Sequence, residues 1–246
     1  MKQKANAWIW GCVWVVIALA AVCGAGVFFA RKEPQETLPQ TQESSAETPE
    51  SIPEATEIRE PEWNLLLVNP WNPLPEDFSV ELAELKNGRC VDERIYQDLQ
   101  DLLADARAEG LSPVICSAYR TNAQQQMLYG NKIKRLELEG YSQEEARQKA
   151  GTVVAVPGTS EHETGLALDI VAESYQVLTE DQENTAEQQW LMKNAHRYGF
   201  ILRYPKGKSE ITGICYEPWH YRYVGKEAAK EIYEKGLCLE EYLEQW

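Results

Sequence analysis

Two segments hold the side chains of this chain best suited to chemistry. One is Ser160-Glu161-His162-Glu163-Thr164-Gly165-Leu166-Ala167-Leu168-Asp169, and the other, further along, is Glu217-Pro218-Trp219-His220. They bring two of the chain's three histidines together with an aspartate and a glutamate. Two neutral imidazoles and a carboxylate suit a borderline-soft divalent ion. A set of three also leaves a coordination position for water, as catalytic rather than structural zinc sites do. His162, Asp169 and His220 are therefore candidate ligands. Glu217, just ahead of His220, is the candidate base, taking a proton from an attacking metal-bound water and passing it to the leaving amine. Singly, each residue is explained as well by a buried hydrogen-bonded pair or a surface charge; the combination favours metal.

A third segment adds an anion-holding group. Arg120, in Ser117-Ala118-Tyr119-Arg120-Thr121, follows the apolar run from Pro113 and sits where a strand turns into a helix. An arginine there can reach into a cleft and hold a carboxylate or a developing oxyanion, its bland alternative being a surface salt bridge. Gln125, on the next helix's first turn, and Ser160, beside the first histidine, can hydrogen-bond a peptide. Ser117, Tyr119 and Trp219 join them as candidate substrate contacts. His196 lacks such company and reads as a helical surface histidine.

Strands must position these groups. In the run from Gly165 to Val171, alternation sets Asp169 on one face with Ala167 and Val171, and Leu166, Leu168 and Ile170 on the other. In Trp219 to Val224 it sets His220 and Arg222 opposite Trp219, Tyr221 and Tyr223. If the two strands pair, His220 meets His162 and Asp169 at one point. Helices are predicted over Glu93 to Glu109 with Asp92 as N-cap, Asn122 to Glu139, Ser142 to Gly151 from a capping box, Thr185 to Gly199, and Lys226 to Lys235, with a last short helix after Leu239. Phe200 to Tyr204 adds a strand. Separate helices and hairpin-like strands indicate an α+β domain around a small, mainly antiparallel sheet.

Ahead of this domain lie residues 1–6, then an uncharged apolar run from Ala7 to Ala30, long enough to cross a hydrocarbon core of roughly 30 Å. A signal anchor with the remainder outside the cytoplasm is expected. A cleaved signal peptide ending near Ala18-Leu19-Ala20 is the alternative, and Cys23 lacks the small neighbour of a lipidated cysteine. Residues 31–61, rich in Glu, Gln, Thr, Ser and Pro, read as a disordered tether. Residues 62–246 are left as one domain, expected to be monomeric. With a net charge of −15 the chain is a poor partner for nucleic acid or anionic lipid. Cys90, Cys116, Cys215 and Cys238 show no zinc-finger spacing; Cys116 and Cys215 are expected either to bridge or to be two buried thiols.

At its three motifs the sequence resembles the VanY-type D-alanyl-D-alanine carboxypeptidases, zinc peptidases of the bacterial cell wall. The matching pieces are Ser117-Ala118-Tyr119-Arg120-Thr121, then Ser160-x-His162-x-x-Gly165-x-Ala167-x-Asp169, then Glu217-x-Trp219-His220-x-Arg222-Tyr223-Val224-Gly225, in family order. Ala118 and Thr121 stand where glycine and serine are commoner, and neither change removes a functional group. Serine-type carboxypeptidase motifs are absent. The resemblance implies the compact fold shared with D-Ala-D-Ala dipeptidases and the hedgehog domain. It also implies Zn2+ held by His162, Asp169 and His220, Glu217 as base, Arg120 on the tetrahedral intermediate, and Ser160 and Gln125 on the peptide. The implied substrates are peptidoglycan stem peptides ending in D-Ala-D-Ala. An LD-carboxypeptidase acting on tetrapeptides, or a non-catalytic zinc-containing wall-binding module, remains the alternative.

Overall fold

The computed structural model describes residues 62–245, so the expected anchor and tether lie outside the described residues. Among the described residues no helix is long and apolar enough to cross a membrane. After a 3-10 turn, Trp63–Leu65, comes a two-stranded antiparallel ribbon, β1 (Leu82–Glu84) and β2 (Cys90–Asp92), which the sequence reading does not resolve. Strands this short carry too little alternation to be read. Asp92 then caps the next helix as expected, its carboxylate accepting from the Arg94 amide. The first turn is a 3-10 turn, Glu93–Ile95, before α1 (Tyr96–Ala108). Leu99, Leu102, Leu103 and Ala106 line the buried side of α1 and enter the main core.

That core forms against an antiparallel sheet made of β3 (Pro113–Ser117), β4 (Ala167–Ala172), β5 (Phe200–Leu202) and β6 (His220–Tyr223), in the order β3-β4-β6-β5. Central β4 is buried along its whole length. Leu166, Leu168 and Ile170 pack with α1 and with Tyr221 and Tyr223 of β6, as the alternation predicts. The opposite face carries Asp169, which stands directly across from His220 in the β4–β6 pairing. On the other side of β4 the β3 register shifts between Ile115 and Ser117, bringing Ser117 level with Asp169. Such a bulge re-aims the residues that follow it; here those include Arg120.

Between the site-bearing strands run α2 (Asn122–Leu138) and α3 (Gln143–Gly151), each opened by a complete capping box, Thr121 with Gln124 and Ser142 with Glu145. Leu136, Ala146 and Ala150 close the small core between them. The helix expected from Thr185 to Gly199 is α4 (Ala186–Asn194), followed by a tightened turn, Ala195–Tyr198. A short α5 (Ser209–Thr212) precedes β6, and α6 (Lys226–Lys235) and α7 (Leu239–Leu243) cover a second core built on Leu65, Ile201, Val224 and Leu239. The cysteine expectation needs correction. All four described cysteines are free, Cys116 is partly buried, and Cys215 is exposed, so the two neither bridge nor form a buried pair. Cys215 lies in a loop after α5 rather than in a strand, and loops run over the surface.

Candidate active site

Pairing of β4 with β6 places the Asp169 carboxylate 3.1 Å from His220 Nδ1. The third group arrives on the 3-10 turn Glu161–Thr164, which ends at Gly165 with φ of 77°. A Cβ at Gly165 would stand 2.8 Å from the Asp92 backbone nitrogen, so only glycine lets this turn dock on β2. The docked turn sets His162 Nε2 3.3 Å from Asp169 Oδ2. The two imidazole rings meet edge to face, 87° apart.

The donor set fits a metal ion. One atom each of His162, Asp169 and His220 lies within 4.8 Å of the others, and all three residues are buried. Zinc bonds of about 2.0–2.1 Å in tetrahedral array would separate ligand atoms by about 3.3 Å, close to the spacings found. The tautomers fit as well. His162 Nδ1 lies 2.8 Å from the Ala118 carbonyl, which can only accept, so Nδ1 carries the hydrogen and Nε2 offers its lone pair. His220 Nε2 faces Glu161 Oε2 at 3.5 Å. Both atoms are buried and lack a hydrogen bond; a slight closing of the gap turns Nε2–H into a donor and leaves Nδ1 for the metal.

Glu161 is itself fixed from behind. Its Oε1 accepts from Arg203 Nε at 2.7 Å and from Arg222 Nη1 at 2.8 Å. Arg203 also forks onto Glu240, at 2.8 and 2.7 Å. Arg203 and Arg222 are fully buried, and the two guanidiniums overcome the cost of burial to hold the Glu161 carboxyl well below its usual range. The sequence reading misses this network. Arg222 is legible as sharing a face with His220, but nothing local distinguishes Glu161 from Glu163, which instead accepts from Asn122 and from the Gly158 amide.

Around the ligands the charges are tightly coupled. Burial holds His162 down to about 4, with the Arg120 guanidinium adding to the effect. For His220 burial acts the same way, but Asp169 and Glu161 outweigh it and push the ring up to about 9. Glu217 is pushed up to about 8, chiefly by burial and further by the Asp169 carboxylate, against the opposing pull of His220 and Arg120. Its Oε2 lies 3.7 Å from His220 Nδ1, at the edge of the ligand set, where a base must stand.

A cleft of about 430 Å³ opens onto this cluster, and Arg120, Ser160, Glu217 and Trp219 line it together with the three ligands. Arg120 reaches in under firm guidance. Nε donates to Ser117 Oγ at 2.9 Å, Nη1 to Gln125 Oε1 at 3.2 Å, and Nη2 to Asp169 Oδ2 at 2.9 Å. Gln125 is fully buried, and its amide nitrogen donates to the Ala155 carbonyl, so both ends are engaged inside the protein. Both Ser117 and Gln125 thus brace the arginine. Tyr119 is not brought to the ligand cleft; it lines a separate cavity on the far side of Arg120, with Phe78 and Gly158. His196 lies apart from the site and stacks on Tyr233 with ring centroids 3.9 Å apart.

A small antiparallel sheet carrying an aspartate and a histidine, with a second histidine on a docked turn and a buried glutamate beside them at the floor of a cleft, defines a mononuclear metallohydrolase. More narrowly, the chain belongs to the VanY family, described as D-alanyl-D-alanine carboxypeptidase, whose family model matches residues 88–226. A D-alanyl-D-alanine carboxypeptidase of Enterococcus faecalis is 49% identical over 201 residues, spanning 80% of this chain and 73% of that protein. Among solved structures, the vancomycin resistance D,D-pentapeptidase VanY of a VanB-type resistance cassette, in complex with Zn(II), matches with a TM-score of 0.68 at 50% identity, covering 74% of this chain and 99% of the other. The LdcB LD-carboxypeptidase matches with a TM-score of 0.60 at 38% identity, covering 74% and 86%.

Proposed function

We infer that this protein is a zinc-dependent D-alanyl-D-alanine carboxypeptidase that removes the terminal D-Ala from peptidoglycan stem peptides. The observation that carries this reading is the convergence of His162, Asp169 and His220, with Glu217 3.7 Å from the nearest ligand atom. When bound by these three residues, zinc supplies acidification of a water and polarisation of a carbonyl. The chain's own groups do the rest. Glu217 takes the proton from the attacking water onto its carboxylate and returns it to the departing amine of D-alanine. Arg120, braced by Ser117 and Gln125, holds a guanidinium beside the carbon under attack and offsets the charge that develops on the carbonyl oxygen. Ser160 and Trp219 flank the peptide in the cleft. With metal bound, His162 and His220 would be neutral, oriented through Ala118 and Glu161.

A second reading, removal of D-Ala from tetrapeptides, is favoured by one observation, the likeness to the LdcB LD-carboxypeptidase. Incubating the zinc-loaded full chain with pentapeptide and tetrapeptide stems separates the two, and release of D-alanine from neither would sink both. A non-catalytic wall-binding module has no use for a buried glutamate beside the ligands.

The domain's setting rests on sequence. The apolar run from Ala7 to Ala30 would anchor the chain, with residues 31–61 as a tether to a monomeric domain on the wall side. Membrane pellets that keep the full chain through a high-salt wash, with the domain open to added protease on cells stripped of wall, are the expected result. A chain recovered wholly from the cytosol would contradict it.

A further inference from the structure

The cleft has two electrically different ends. Its floor holds the acids Glu161, Asp169 and Glu217, with Arg120 paired to Asp169, whereas the wall supplied by α2 carries Lys132 and Arg135 and no acid. Lys132 and Arg135 share a helix face with Leu128, at spacings of four and three residues, so all three look into the same space. Neither cation is paired. No carboxylate lies within ion-pair distance of either among the described residues, although the chain holds 39 acidic residues against 24 basic ones. Lys132 is partly buried and Arg135 is exposed, so both charges remain open to a ligand entering the cleft. In a chain this acidic, two unpaired cations on the wall of the catalytic cleft are a local reversal of charge.

Their distance from the chemistry can be read along the helix. Gln125, one turn into α2, touches Arg120. A rise of about 1.5 Å per residue puts Lys132 about 10 Å and Arg135 about 15 Å further along. An extended peptide advances about 3.3 Å per residue, so one lying along α2 would bring roughly its third to fifth residue from the reacting bond under the cations.

We propose that Lys132 and Arg135 form a carboxylate subsite in the outer cleft, selecting peptides that bear a free carboxylate several residues upstream of the bond to be cut. This rests on the carboxypeptidase reading above and names the substrate class of the same site. Selection is electrostatic, so it fades as salt rises. A peptide bearing a carboxamide in place of that carboxylate is the poorer ligand.

The test uses the full chain carrying Glu217→Gln, loaded with zinc, and two fluorescent stem pentapeptides that differ only in having a carboxylate or a carboxamide at the upstream acidic residue. The carboxylate peptide should bind roughly tenfold more tightly at low salt. In Lys132→Met/Arg135→Met that ratio should fall to about one, and in Lys132→Glu it should invert. Equal affinity for the two peptides before mutation, or a ratio untouched by both variants, would overturn the subsite. Turnover by the parent chain is measured in parallel. Hydrolysis of both peptides without preference removes the subsite alone, and a binding preference without hydrolysis of either removes the carboxypeptidase reading alone.

Discussion

At the scale of single residues the site depends on which groups carry protons. In the metal-free protein His220 is pushed up to about 9 and Glu217 up to about 8, so both hold protons near neutrality, whereas His162, held down to about 4, holds none. Metal needs His220 neutral, and a dication beside Glu217 expels its proton too. Zinc uptake near neutral pH should therefore release one to two protons, read by calorimetry in two buffers of different ionisation heat, and zinc affinity should climb with pH until about 9. The sign for stability is opposite. His220's raised value gives the metal-free fold stability that is complete below 6.5 and lost as pH rises towards about 9. With chelator present, the melting temperature should fall across that interval. Replacing Glu217 with Gln keeps the three ligands but removes the proton carrier, and kcat should drop roughly 100- to 10,000-fold with zinc content unchanged. Arg120→Ala should cost roughly 100- to 1,000-fold in kcat, with a smaller change in KM, if the guanidinium acts on the transition state.

At the scale of elements, position comes from register and from a buried ionic frame. The β4–β6 pairing sets Asp169 against His220 and the bulge in β3 turns Arg120 inward, while the 3-10 turn after Ser160 delivers His162. Of these, the strand pairing is legible in the sequence, because alternation around Asp169 and His220 shows which face each occupies. The turn is partly legible, through Gly158 and Gly165. The bulge is not, since Val114, Ile115 and Cys116 are all apolar and offer no alternation for an extra residue to interrupt. Nor is the role of Glu161, which depends on Arg203 arriving from the bend after β5 and Arg222 from β6. Removing this carboxylate leaves the buried Arg222 guanidinium without a counter-charge and Arg203 with Glu240 alone, so Glu161→Ala should destabilise the fold by about 3–5 kcal/mol. The milder Glu161→Gln should fold while weakening zinc binding by roughly 10- to 100-fold, because His220 loses its partner; competition with a chelator measures this. Gly165→Ala forces a methyl to within 2.8 Å of the Asp92 nitrogen and strains a positive φ. A loss of about 2 kcal/mol or more in chemical denaturation is expected, with zinc affinity falling alongside.

At the scale of the whole molecule, one cleft of a strongly acidic chain carries Glu161, Asp169 and Glu217 at its floor, with Arg120 beside them, and Lys132 and Arg135 on its outer wall. The α+β class, the helix that carries Gln125 and the helix that follows it are legible because capping residues and helical periodicity mark them plainly. The hairpin of β1 and β2 and the fate of Cys215 are not, because three-residue strands and surface loops leave little pattern. The measurement that most directly tests the account is mass spectrometry of a defined stem pentapeptide after incubation with the zinc-loaded full chain and with its Glu217→Gln variant. The account requires loss of one terminal D-alanine with the parent and almost none with a variant that retains its zinc. A pentapeptide left intact by the zinc-loaded parent, or cut equally fast by both proteins, would contradict it.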